Sequence, residues 1–69
     1  MMTRPERLKL RAELLSLIAD KGYTQADLAR LIDVPESTIH HWRHSNRVPS
    51  EKACQKIKIL LRKENYGQS

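Results

Sequence analysis

A proline at position 35 falls inside a run of residues whose apolar groups otherwise recur at helical spacing. It disfavours α geometry at Val34 and pre-sets its own backbone angle for a new first turn, so one helix ends near Asp33 and another starts directly after it. On the near side, YTQADLARLIDV offers Leu28, Leu31 and Ile32 as a compact apolar face, with Ala26 and Ala29 small enough for close helix contact. Thr24 is placed to cap this helix, and Asp27 at the third helical position completes a start like a capping box. On the far side, PESTIHHWRH carries Glu36 in its first turn and Ile39 and Trp42 as an inward edge. Two short helices separated by about three residues form a sharp corner, the helix-turn-helix arrangement.

Two further helices flank that corner. RPERLKLRAELLSLIADKG has Pro5 at a helix start and Glu6 in the first turn. Leu10, Leu14, Leu17 and Ile18 recur at helical spacing, with Leu8 and Leu15 beside them, and Gly22 is the stop signal. This predicts a helix of roughly four turns. After the loop SNRVPS, Ser50 caps a last helix, EKACQKIKILLRK, whose buried stripe is Ala53, Cys54, Ile57, Leu60 and Leu61. The expected fold is all-α, a compact domain of four helices, with five as the alternative, over residues 1–63, with the helix-turn-helix at about 24–44 and a flexible tail at 64–69.

A chain of 69 residues makes one small domain at most. The single Cys54 cannot form an internal disulfide, which fits a reducing compartment, and no apolar run reaches the ~20 residues of a membrane span. A cytoplasmic protein is expected. The net charge of +5 is unevenly spread: residues 1–35 hold six basic and five acidic residues, whereas residues 36–63 hold seven and two, together with all three histidines. Such asymmetry is the electrostatic footprint of a nucleic-acid contact, and its plainer counterpart is a solvated basic helix.

The order of residues in TQADLARLIDVPESTIHHWRHSNRVPS resembles the helix-turn-helix of the Cro and lambda-repressor-like family, also called the XRE type. The shared pattern is Thr24-Gln25, Leu28-Ala29, Asp33-Val34, Ser37-Thr38-Ile39, Trp42 and Pro49-Ser50, and the match spans residues 23 to about 61. Two positions depart from the pattern. Asp33 stands where the family usually has Gly, at a backbone angle commonly left-handed, which Asp tolerates better than most residues. Arg43 stands where Glu is frequent and adds a basic group. The helical periodicity ends with the fourth helix, whereas many family members add a fifth that helps them dimerise.

The resemblance implies a third helix lying in the DNA major groove. Glu36 and Ser37 would face the bases first, and His40 and His41 would follow one turn later. Gln25, Thr38, Arg43, His44, Asn46, Arg47 and Lys52 would meet backbone phosphates, contacts that supply affinity and salt sensitivity rather than sequence choice. Trp42 invites a base-stacking role, but its spacing from Ile39 and its match to the family's apolar position assign it to the core. The bland alternative for each polar residue is a solvated surface group, and for Glu36 a helix-start charge.

His40 and His44 are four apart, a spacing compatible with zinc, yet no CxxC or second His pair completes a site of four ligands. No metal or other cofactor is expected. No partnered nucleophile, acid pair or phosphate-cradling Gly loop points to an enzyme. The expectation is a sequence-specific regulator of double-stranded DNA, a repressor or autorepressor on an inverted repeat, resembling small phage or mobile-element proteins. It would act as a homodimer at least on DNA, with Ile59, Leu61 and Tyr66 as interface candidates and no small-molecule ligand. The rival reading from another class is a protein-interaction module, antitoxin-like or adaptor-like, that uses the same basic face.

Overall fold

A computed structural model of the chain describes residues 2–64. They form four helices: α1 (Arg4–Lys21), α2 (Gln25–Ile32), α3 (Glu36–His44) and α4 (Glu51–Lys63), with no strand among the described residues. The all-α fold expected from the periodicity is the one observed.

Each helix begins and ends for a local reason. A capping box opens α1, where Thr3 accepts from the Glu6 amide and the Glu6 carboxylate accepts from the Thr3 amide. Gly22 closes it at φ 77°, a left-handed angle that glycine adopts without steric cost. The helix runs to 18 residues, about five turns rather than the four expected, and starts one residue before Pro5. Thr24 and Asp27 form the second capping box, at 3.0 Å in both directions. Ser50 caps α4 through the Ala53 amide at 3.2 Å. Only α3 starts without a side-chain cap, on Pro35, whose carbonyl accepts from the Thr38 amide at 2.9 Å.

The core is aliphatic and continuous. Leu14 and Leu17 of α1, Leu28, Ala29 and Ile32 of α2, Ile39 and Trp42 of α3, and Ala53, Ile57, Leu60 and Leu61 of α4 make one buried cluster. α4 is the shared partner, packing against both α1 and α2, while α2 packs on α3. Every residue expected on the inward edges of α3 and α4 is buried. One core expectation on α2 is corrected: Leu31 is 52% exposed, because Leu28, Ala29 and Ile32 already fill the side of this short helix that faces α3 and α4. Leu8 and Leu15 lie on the flank of α1, half-buried.

Cys54 is fully buried at the start of α4, with its thiol directed at the Pro49 carbonyl at 3.8 Å. Burial pushes that thiol above its ordinary pKa. At the other end of α4, the Tyr23 hydroxyl donates to the Glu64 carboxylate, so residue 64, expected to begin the tail, is tied to the start of α2. Tyr66 and the rest of the expected tail, 65–69, lie outside the described residues.

Candidate nucleic-acid interface

The turn that sets the angle of α3 is held from two sides. Asp33 occupies φ 58°, ψ 53°, the left-handed region expected for this position, and the Asp33 and Val34 amides both donate to the Ala29 carbonyl. The Asp33 carboxylate accepts from Lys56 Nζ of α4 at 3.2 Å. The pair is exposed on the Asp33 side and worth little energy by itself. It nevertheless links the corner to the helix that packs behind it.

From that corner, α3 is fixed by one face and open on the other. Ile39 is fully buried and Trp42 is 5% exposed, which places the indole in the core as its spacing indicated. Glu36, Ser37, His40, His41 and His44 are exposed. Positions 36, 40 and 44 recur every four residues, and 37 lies three from 40, so these side chains share one stripe away from the Ile39–Trp42 edge. His40 and His44 touch, with ring centroids 4.4 Å apart and planes tilted by 44°, and the His41 ring stands edge-on to His40 at 6.2 Å. His44, grouped with the phosphate contacts in the sequence, therefore lies beside His40 on the same stripe. No group of three or more His, Cys, Asp or Glu residues suited to a metal is found among the described residues.

The surrounding charges sort into paired and unpaired. Arg43, Arg47 and Lys52 are exposed and join no ion pair among the described residues. Asn46 is exposed in the loop after α3, while Gln25 opens α2 half-exposed and Thr38 is half-buried on α3. Of the two acids in residues 36–63, Glu51 is taken up by the Met2 amide at 3.0 Å and by Arg7 at 3.8 Å. Among the described residues, that leaves Glu36 as the carboxylate of the segment without a partner, at the exposed start of α3.

Two contributors escape a reading of the sequence. Lys56 belongs to the basic segment but spends its charge on Asp33. Arg11, in the balanced N-terminal half, reaches the loop between α3 and α4: its Nη1 donates to the Arg47 carbonyl at 2.8 Å and lies 3.5 Å from the Ser45 carbonyl. No local pattern marks either residue, since both partners are remote in the chain. Of the interface candidates, Ile59 is 54% exposed, whereas Leu61 is fully buried within its own chain. No helix is long and apolar enough to cross a membrane among the described residues.

Comparison with known families adds one match: the homeodomain-like domain, over residues 5–47, more than half of the chain and spanning α1 to the end of α3. Neither the curated proteins nor the solved structures gave a match.

Proposed function

Because the chain belongs to the homeodomain-like family, a helix-turn-helix class of DNA-binding domains, we propose that it is a sequence-specific transcriptional regulator. It acts as a repressor or autorepressor in the cytoplasm, with α3 in the major groove of double-stranded DNA. The observation that carries this reading is the two-faced α3, locked into the core by Ile39 and Trp42 while Glu36, Ser37, His40 and His41 are exposed in a basic surround. A helix held this way presents its outward side chains without paying to order its backbone at each encounter.

Within the helix-turn-helix class, the narrower Cro and lambda-repressor-like type is supported by three features. They are Thr24-Gln25 at the start of α2, the left-handed turn residue at Asp33, and Pro49-Ser50 leading into a capped α4. In that arrangement Glu36 accepts from a cytosine amino group, Ser37 bonds a neighbouring base, and His40 and His41 donate to guanine acceptors. Arg43, Arg47 and Lys52 neutralise phosphates, while Gln25, Thr38, His44 and Asn46 hydrogen-bond to them. Two copies bind an inverted repeat. The domain measures 29 × 28 × 18 Å between Cα extremes, so copies set side by side along a long edge approach the ~34 Å between half-sites one helical turn apart. Ile59, like Leu31, is an exposed apolar group available to such a pair.

The test is affinity selection from random duplex DNA at near-physiological salt, followed by sequencing. An enriched inverted repeat supports both sequence recognition and pairing. Enrichment of single half-sites supports recognition and removes the pair. No enrichment overturns the regulator reading and leaves the basic face to a protein partner.

A further inference from the structure

Arg11 makes a long-range contact directly to the loop of the candidate interface. Its guanidinium leaves α1 and donates to a loop carbonyl 36 positions away, Arg47, with the Ser45 carbonyl at the outer limit of the same nitrogen. Resting on the DNA-binding reading above, we propose that Arg11 is a positioning residue that sets the α3–α4 loop for contact with the DNA backbone.

Peptide geometry supplies the mechanism. The peptide bonds of this loop are trans, so each amide N–H points opposite to the carbonyl of its own peptide unit. Turning the Ser45 and Arg47 carbonyls inward to Arg11 therefore turns the Asn46 and Val48 amides away from it. Among the described residues neither amide donates a hydrogen bond; Ser45, Asn46 and Arg47 are exposed and Val48 is half-buried. Two undonated amides beside the free Arg47 guanidinium make a receiver for a phosphodiester oxygen.

The loop is anchored at both ends by other groups. Ser45 bonds back to the His41 carbonyl through its amide at 2.8 Å and its hydroxyl at 2.6 Å, and Pro49 is buried. Between these anchors, among the described residues, Arg11 supplies the hydrogen bonds that set which way the intervening peptides face. A solvated loop without the clamp would sample several orientations, and binding would then cost the entropy of choosing one.

A double-mutant cycle tests the assignment. Wild type, R11M, R47A, R11M/R47A and R11K are titrated by fluorescence anisotropy against one labelled duplex, either the selected operator or, without one, a random-sequence duplex at low salt. Circular dichroism at the titration temperature confirms that each variant is folded. R11M is expected to weaken binding about five- to tenfold, the scale of one lost charge-assisted contact. If Arg11 acts through the loop, R11M/R47A is weaker than R47A by less than that factor, because R47A has already removed the guanidinium share of the receiver and leaves only the two amides. R11K, which keeps the charge and a donor but not the planar fork, falls between wild type and R11M.

Backbone ¹⁵N relaxation of the free protein gives a readout independent of DNA: R11M lowers the order parameters of Asn46, Arg47 and Val48 and leaves those of α4 unchanged. Should R11M be unfolded, R11K carries the same comparison with R47A. Additive losses, unchanged affinity in a folded R11M, or loop order parameters equal to wild type overturn the proposal. A wild-type protein that binds no duplex overturns the DNA-binding reading instead.

Discussion

Asp33 stands at the point where α2 must stop and the chain must swing into α3, and it does so in a backbone region that disfavours side chains. Its short carboxylate is tolerated there and finds Lys56, so a position that glycine often fills is filled at moderate cost. The expected order of stability is Asp33→Gly at or slightly above wild type, and Asp33→Ala below it by about 1 kcal/mol. Urea unfolding of the three proteins checks this, and an alanine variant as stable as wild type would remove the strain argument. The left-handed angle was expected from the resemblance, in which Gly usually holds this position, and the structure has it. The Lys56 partner was not, since it comes from another helix 23 positions on.

At the scale of the element, the helices are started by side chains whose charge matters. The Asp27 carboxyl is held below its ordinary value, first by the Thr24 amide and then by the Thr24 hydroxyl, and Glu6 is held down in the same way by Thr3. A carboxyl with a depressed folded pKa contributes stability above its unfolded value, here 3.8 for Asp27, and loses it as pH falls through the lower folded value. Asp27→Asn should therefore melt below wild type at neutral pH, with the gap closing as pH drops below about 4. Thermal melts across that range check the sign, and a gap constant with pH would exclude the capping charge. On α3 the corresponding change is Glu36→Ala. It should alter which base is selected at one operator position by about 1–3 kcal/mol of discrimination while leaving the fold intact, read by repeating the selection with the variant. Caps and buried stripes were readable because they depend on residues three or four apart. Leu31 misled because spacing does not reveal which flank of an eight-residue helix its neighbours cover. The face of α3 was legible, but the His40–His44 contact within it depends on rotamers that spacing leaves open.

Across the whole molecule, the charge asymmetry seen along the chain becomes a surface in which Arg43, Arg47 and Lys52 stay unpaired while Glu51 is neutralised from α1. Three phosphate-neutralising groups per copy, in a pair of copies, give a slope of log affinity against log salt of about −5. Lys52→Ala should reduce its magnitude by about 2 for the pair, and roughly equally on any sequence. A salt series for the two proteins decides it, and an unchanged slope would take Lys52 off the phosphate path. The general position of the basic surface was readable from composition. Its connection to α1 was not, because Arg11 speaks to main-chain oxygens, which carry no residue-type signal.

Cys54 gives the domain an internal clock. A thiol that is fully covered, and raised in pKa by that cover, can meet a disulfide reagent only when α4 parts from its neighbours. The labelling rate then counts openings of the fold rather than surface chemistry. Anything that clasps the closed form should slow the count in proportion to its occupancy, so adding duplex DNA should lengthen the thiol's lifetime and make the cysteine a gauge of binding.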